Sequence, residues 1–144
     1  MRKAARQGDE QERPSGSHGS LQDPCEPMVL IHGVPAARLA TRAVGSEGVD
    51  LVTSGAAMVL IHGLPAARMG DATTGGGVVI GPGADRVLFD GPEFSVPSVV
   101  EIEGDDAYRS KVIRDLYFIS TTRSGREWLA RLERAGQNFR PGGP

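Results

Sequence analysis

Apolar residues along this chain first come in short continuous runs and then settle into a helical stripe. Residues 28–31 and 58–61 both read Met-Val-Leu-Ile, and each run is followed by His-Gly, one more apolar residue and Pro. A run of four between turn signals predicts a buried strand rather than a helix. His32-Gly33 and His62-Gly63 fall where a tight turn wants positive φ, which Gly supplies without steric cost. His32 and His62 themselves read as turn residues in place of Asn or Asp. Pro35 and Pro65 then open a return strand or an extended edge. Each unit therefore predicts a β-hairpin, marginal alone but stable when several share one core. Residues 86–92 keep the apolar run, a turn glycine (Gly91) and a Pro, and Asp90-Gly91 reads as the strongest hairpin dipeptide. Residues 49–53 predict an extra strand, and residues 13–20 and 73–77 read as loops.

The pattern changes at residue 92. Residues 105–135 contain no proline, and Tyr108, Val112, Leu116 and Ile119 recur at helical spacing. Ser124 followed by Glu127 forms a capping-box pattern. Trp128, Leu129, Leu132 and Ala135 then form an apolar stripe, which Gly136 is expected to stop. Two helices are expected between residues 107 and 136. They follow a linker at 95–106 and precede a disordered tail at 137–144.

The two hairpin units are near copies. Residues 28–38 and 58–68 agree at ten of eleven positions, 30 residues apart. Residues 4–9 (AARQGD) echo 66–71 (AARMGD), so residues 1–94 read as serial passes of one unit. Composition refines this picture. Seven aromatic residues in 144 exclude a large aromatic core, and 20 Gly with 10 Pro imply many turns. Net charge is -2, which argues against a generic nucleic-acid binder. It is unevenly spread: residues 45–106 carry ten acids and two bases, residues 107–144 eight bases and three acids. A solvated charged face is the simplest reading of the basic helices. No apolar run approaches the ~18 residues of a membrane span. The basic start has no apolar stretch after it, so no secretory signal is expected. One cysteine, Cys25, excludes an intrachain disulfide framework.

Pro35-Ala36-Ala37-Arg38 and Pro65-Ala66-Ala67-Arg68, each after an apolar run and a turn glycine, resemble the PAAR-repeat family, as does the opening Ala-Ala-Arg-x-Gly-Asp. The resemblance spans roughly residues 1–94. It implies a mainly β fold, a small cone or prism of hairpins with pseudo-threefold repeats, followed here by a helical hairpin. It implies a structural tip on the trimeric spike of a type VI secretion or related contractile injection system. One copy would sit on each trimer. An effector chaperone is a further candidate partner, and neither nucleic acid nor stable membrane insertion is implied. Such a protein would be made in a bacterial cytoplasm and exported by the injection apparatus. Arg38 and Arg68 have two readings: contacts to the spike, or structural arginines bonded to carbonyls inside the cone.

Family members hold zinc near the apex through His and Cys, which suit its tetrahedral preference. His18 and Cys25 are the candidate ligands here, with Glu47 the only donor in the second loop at 43–48. The third loop, at 72–75, has neither His nor Cys, so the usual site is degraded or rearranged.

Residues 99–136 weakly resemble the opening of zinc metalloprotease effector domains. The match lies in Glu103-Gly104-Asp105, Ser124-Gly125-Arg126 and Gly136. Such enzymes need His-Glu-x-x-His. All three histidines here lie before residue 63 and none stands in that motif. The helices are therefore an adaptor or the remnant of a truncated toxin, and no catalytic residue is expected. Gly75-Gly76-Gly77 lacks the Lys-Ser or Lys-Thr of a phosphate loop. An independent β-prism that binds some other trimer is the remaining alternative.

Overall fold

The computed structural model describes residues 2–97 and 100–138. The chain divides into two compact units, Met1–Ser95 and Val96–Pro144. The first holds the strands and the second the helices.

In the first unit β1 (Arg2–Lys3), β2 (Glu10–Glu12), β3 (His18–Leu21), β4 (Glu26–Ile31), β5 (Val34–Ala36) and β6 (Arg42–Gly45) come first. They are followed by β7 (Gly48–Leu51), β8 (Ser54–Ile61), β9 (Leu64–Ala66), β10 (Val78–Gly81), β11 (Leu88–Phe89) and β12 (Glu93–Ser95). Three arms lie at one end. Two are the expected hairpins, β4–β5 and β8–β9, in the same register: Ile31 faces Val34 and Ile61 faces Leu64. The third arm has no connecting turn. It pairs β11 with β1, bringing together the two ends of the unit.

Beyond the arms is a ring of three further hairpins. The sheet runs β10-β2-β3-β6-β7, and isolated bridges Val52–Thr73 and Ala72–Val78 insert the segment 72–74 between β7 and β10. That segment closes the sheet on itself, so its outer strands gain partners.

The hydrophobic pattern explains the core. Along the arms exposure alternates: Ile31 and Ile61 are buried, while Leu30 and Leu60 are 57% and 51% exposed. The apolar runs are thus single-faced strands, not the fully buried ones expected, because each arm has a core on one side only. Val29, Val59, Val87 and Phe89 join Ala4, Ala36 and Ala66 in one cluster. Ala5, Ala37, Ala67, Leu21, Val52 and Val79 form the next. Small residues let the three backbones approach at the waist, which large side chains would hold apart.

Several details depart from expectation. Asp90-Gly91 makes no hairpin, because β11 pairs with β1 and β12 with β8. Gly91, at φ +96°, redirects the chain between sheets instead. Residues 18–20 are strand rather than loop.

The second unit is a helical hairpin of α1 (Asp106–Ser120) and α2 (Arg123–Asn138). Asp105 caps α1 by accepting from the Tyr108 amide. Ile113, Leu116 and Tyr117 are buried, whereas Tyr108 and Ile119 are exposed, so only Leu116 of the expected stripe keeps its place. Both stripes fit a 3.6-residue period, and packing decides between them. Thr122 caps α2, accepting from Gly125 N at 3.0 Å, two residues before the expected Ser124. Helix α2 passes through Gly136 to Asn138, so the stop expected at Gly136 comes later. Of the expected disordered tail, residues 139–144 lie outside the described residues. No described helix is long and apolar enough to cross a membrane.

Candidate docking face and loop-end network

The repeated Pro-Ala-Ala-Arg segments build the waist. Ala37 N donates to Ala5 O, Ala67 N to Ala37 O and Ala5 N to Ala67 O, at 2.9–3.1 Å. The three bonds form a head-to-tail ring, with all three alanines at 0% exposure. Bridges Arg6–Ala36, Arg38–Ala66 and Arg68–Ala4 repeat the relation one step out. Pseudo-threefold symmetry is thus written in main-chain hydrogen bonds. Pro65 is fully buried and Pro35 half-buried; neither removes a donor that the ring needs.

Arg38 and Arg68 are buried at this waist. Arg38 Nη1 donates to its neighbour's carbonyl, Leu39 O, at 2.8 Å. Arg68 Nη2 lies 2.9 Å from Asp71 Oδ1 and 2.7 Å from Glu93 Oε1. Burial works against the Arg68 charge, but Asp71 and Glu93 outweigh it and hold its pKa above the ordinary value. Asp71 also takes the Arg68 amide at 2.6 Å and the Ser54 hydroxyl at 2.9 Å. Asp9 and Thr41 accept the amides of Arg6 and Arg38 at the equivalent positions.

At the arm ends His32 and Gly33 have φ of 51° and 77°, and His62 and Gly63 have 48° and 78°. Positive φ at both central residues of a two-residue loop is the type I′ hairpin turn, whose twist matches the strands. The exposed histidines serve as turn residues. On the outer face, Leu30, Leu60 and Leu88 stand at matching registers, opposite Pro35, Pro65 and Lys3. They are 57%, 51% and 46% exposed, and Met58 adds 75%.

The opposite end is polar. Arg13 forks onto Asp50, Nε to Oδ2 at 2.7 Å and Nη2 to Oδ1 at 3.1 Å. Its Nη1 reaches Glu47 Oε2 at 3.2 Å, and the Ser15 hydroxyl donates to the same oxygen. Gln11 Nε2 donates to Asp50 Oδ2 at 3.1 Å, and Thr73 Oγ1 donates to Gln11 Oε1 at 3.0 Å. Gln11, Asp50 and Thr73 are buried. Hydrogen bonds from Ser17, Ser15 and Arg13 lower the Glu47 pKa, and the Asp50 hydrogen bond raises that of Arg13. Sequence reasoning singled out Glu47 alone of these groups. The available signal was Asp50, a charged residue inside the strand predicted at 49–53, whereas Arg13 and Thr73 fall in predicted loops.

The zinc candidates do not converge on this network. His18, on β3, is about half exposed, with Nδ1 3.3 Å from Glu10 and Nε2 3.6 Å from Glu12. Cys25 is half-buried against the Leu21 cluster. Among the described residues no three His, Cys, Asp or Glu side chains gather where an ion could be held. The described donor set therefore does not fit zinc.

A family model for the PAAR motif matches residues 12–81, which cover two of the three waist segments, two arms and much of the closed ring. This stretch carries the PAAR motif. No curated protein matches it. The PAAR motif marks a structural family, and it suggests a spike-tip-type protein of contractile injection systems.

Proposed function

We propose that the β unit caps the blunt end of a trimeric spike, one copy per trimer, with its arms against the spike and its loop end forward. The threefold set of Leu30, Leu60 and Leu88 carries this reading. A homotrimer offers the same surface three times around an axis, and a monomer presenting one apolar position three times around a ring can meet all three copies. The open edges of short arm strands suit pairing with partner strands. The mechanism is mechanical: the ring sharpens and closes the spike, and the helical hairpin travels with it as a C-terminal extension that a chaperone or cargo can engage. No step needs a catalytic side chain. Synthesis in the bacterial cytoplasm and exit with the apparatus follow from that role.

The test mixes the full chain with the trimeric spike protein of its own organism and measures complex mass by size exclusion with light scattering. One chain per trimer is expected. Replacing Leu30, Leu60 and Leu88 together by Asp should abolish the complex while circular dichroism stays unchanged. A wild-type chain that forms no complex at micromolar concentration, or a well-folded triple variant that still binds, overturns the reading.

A further inference from the structure

We infer that the loop end is a metal-independent closure in which the Arg13 guanidinium is the cross-linking cation. A structural metal ties separate chain segments together by collecting their donors around one positive charge. Arg13 does this with directed N–H groups. Its fork holds both oxygens of Asp50 on β7, and its third nitrogen holds Glu47 in the β6–β7 turn. Asp50 is also bonded to Gln11 on β2, and Gln11 to Thr73 in the closing segment. The cation thereby ties two of the ring hairpins directly, and Asp50 and Gln11 carry the link to the third.

Burial makes the arrangement obligatory. Asp50 is only 3% exposed, and an ionised carboxylate so placed is costly unless paired and hydrogen-bonded. A bidentate guanidinium satisfies it in a way that a lysine ammonium cannot. The neighbouring loop is shaped to admit the group. A Cβ on Gly75 would lie 2.6 Å from Asp50 Oδ1, and one on Gly77 would lie 2.7 Å from Gln11 Oε1. His18 stands apart from the cluster, turned to the Glu10 and Glu12 carboxylates. This inference concerns how the end is held shut and stands whether or not the arms dock on a spike.

The experiment uses the full chain, purified without chelator or histidine tag. Metal content is measured by mass spectrometry, and thermal unfolding is followed with and without EDTA. The expected result is well under one zinc per chain and a Tm that EDTA leaves unchanged. Arg13→Met should lower Tm by about 10 °C. It should also raise amide exchange together in loops 13–17, 46–47 and 74–77. Arg13→Lys keeps the charge but loses the fork, and should show the same exchange change at a smaller Tm cost. It supplies the readout should Arg13→Met fail to fold. One zinc per chain, a Tm that falls on chelation, or Arg13→Lys exchange altered in loop 13–17 alone would overturn the inference.

Discussion

The two units of this chain use opposite solutions to the problem of a small core. The β unit closes on itself, through the backbone ring of Ala5, Ala37 and Ala67 and the bridges that join its outer strands. Most of its buried apolar side chains are alanine or valine, and many are completely buried. The helical hairpin buries Ile113, Leu116, Tyr117 and Leu129 but leaves Phe118 and Trp128 about half exposed beside an open notch at its elbow. A ring satisfies its own edges, whereas two helices have only one face each to share. Closure allows a domain of modest apolar content to hold buried charges. A two-helix unit must rely on local devices such as caps.

Four variants would break or sharpen that contrast. The largest effect is expected from Arg68→Met, which takes the nearer of two guanidinium groups from Asp71, at 0% exposure, and leaves it Arg2 at 3.4 Å. The β unit should lose about 3 kcal/mol in chemical denaturation, with the exchange rates of α1 and α2 unmoved. Replacing Gly33 and Gly63 together by Ala forces side chains into φ near +78°. It should cost about 2–3 kcal/mol in total, seen as faster exchange at the arm ends; a neutral double variant would refute the I′ geometry. For the hairpin, Thr122→Ala removes the α2 cap and should cost about 1 kcal/mol of helix stability, measured as lost helical circular dichroism on heating.

The smallest effect concerns acid. The Glu47 carboxyl titrates below its ordinary value of 4.5, so it stabilises the fold above pH 4.5, and that contribution disappears as pH falls through its lowered pKa. Glu47→Gln should therefore flatten the acid limb below pH 4.5 and leave neutral stability nearly unchanged. An unaltered acid limb would remove Glu47 from the closure.

The arms were legible because three local signals agree: apolar run, His-Gly turn and following Pro. The split third arm showed only as two faint echoes at residues 4–9 and 86–92, since nothing local announces that β1 and β11 pair across the whole unit. Strand β12 escaped notice for the same reason: Phe94 is the buried residue of a three-residue strand whose partner, β8, lies some 40 positions earlier. Leu30 and Leu60 read as core because a run of four gives no clue that only one side is covered. Arg13, Gln11, Asp50 and Thr73 come from three separate passes, and their meeting depends on ring closure, which spacing along one chain does not encode. In α1 the period was right and the phase wrong, whereas in α2 Leu129 is buried as its stripe predicts.

The pairing of β1 with β11 sets an order on synthesis. Arg2 and Lys3 are made long before Phe89 and Leu88, their strand partners, which are not joined until the unit is almost complete. Until then the nascent chain has two arms and the residues of the closed ring, but no third arm. Contacts so distant along the chain are the slow ones to form. The third arm must wait for the end of the β unit before its first strand has a partner, and a chain released early has its waist but lacks that arm.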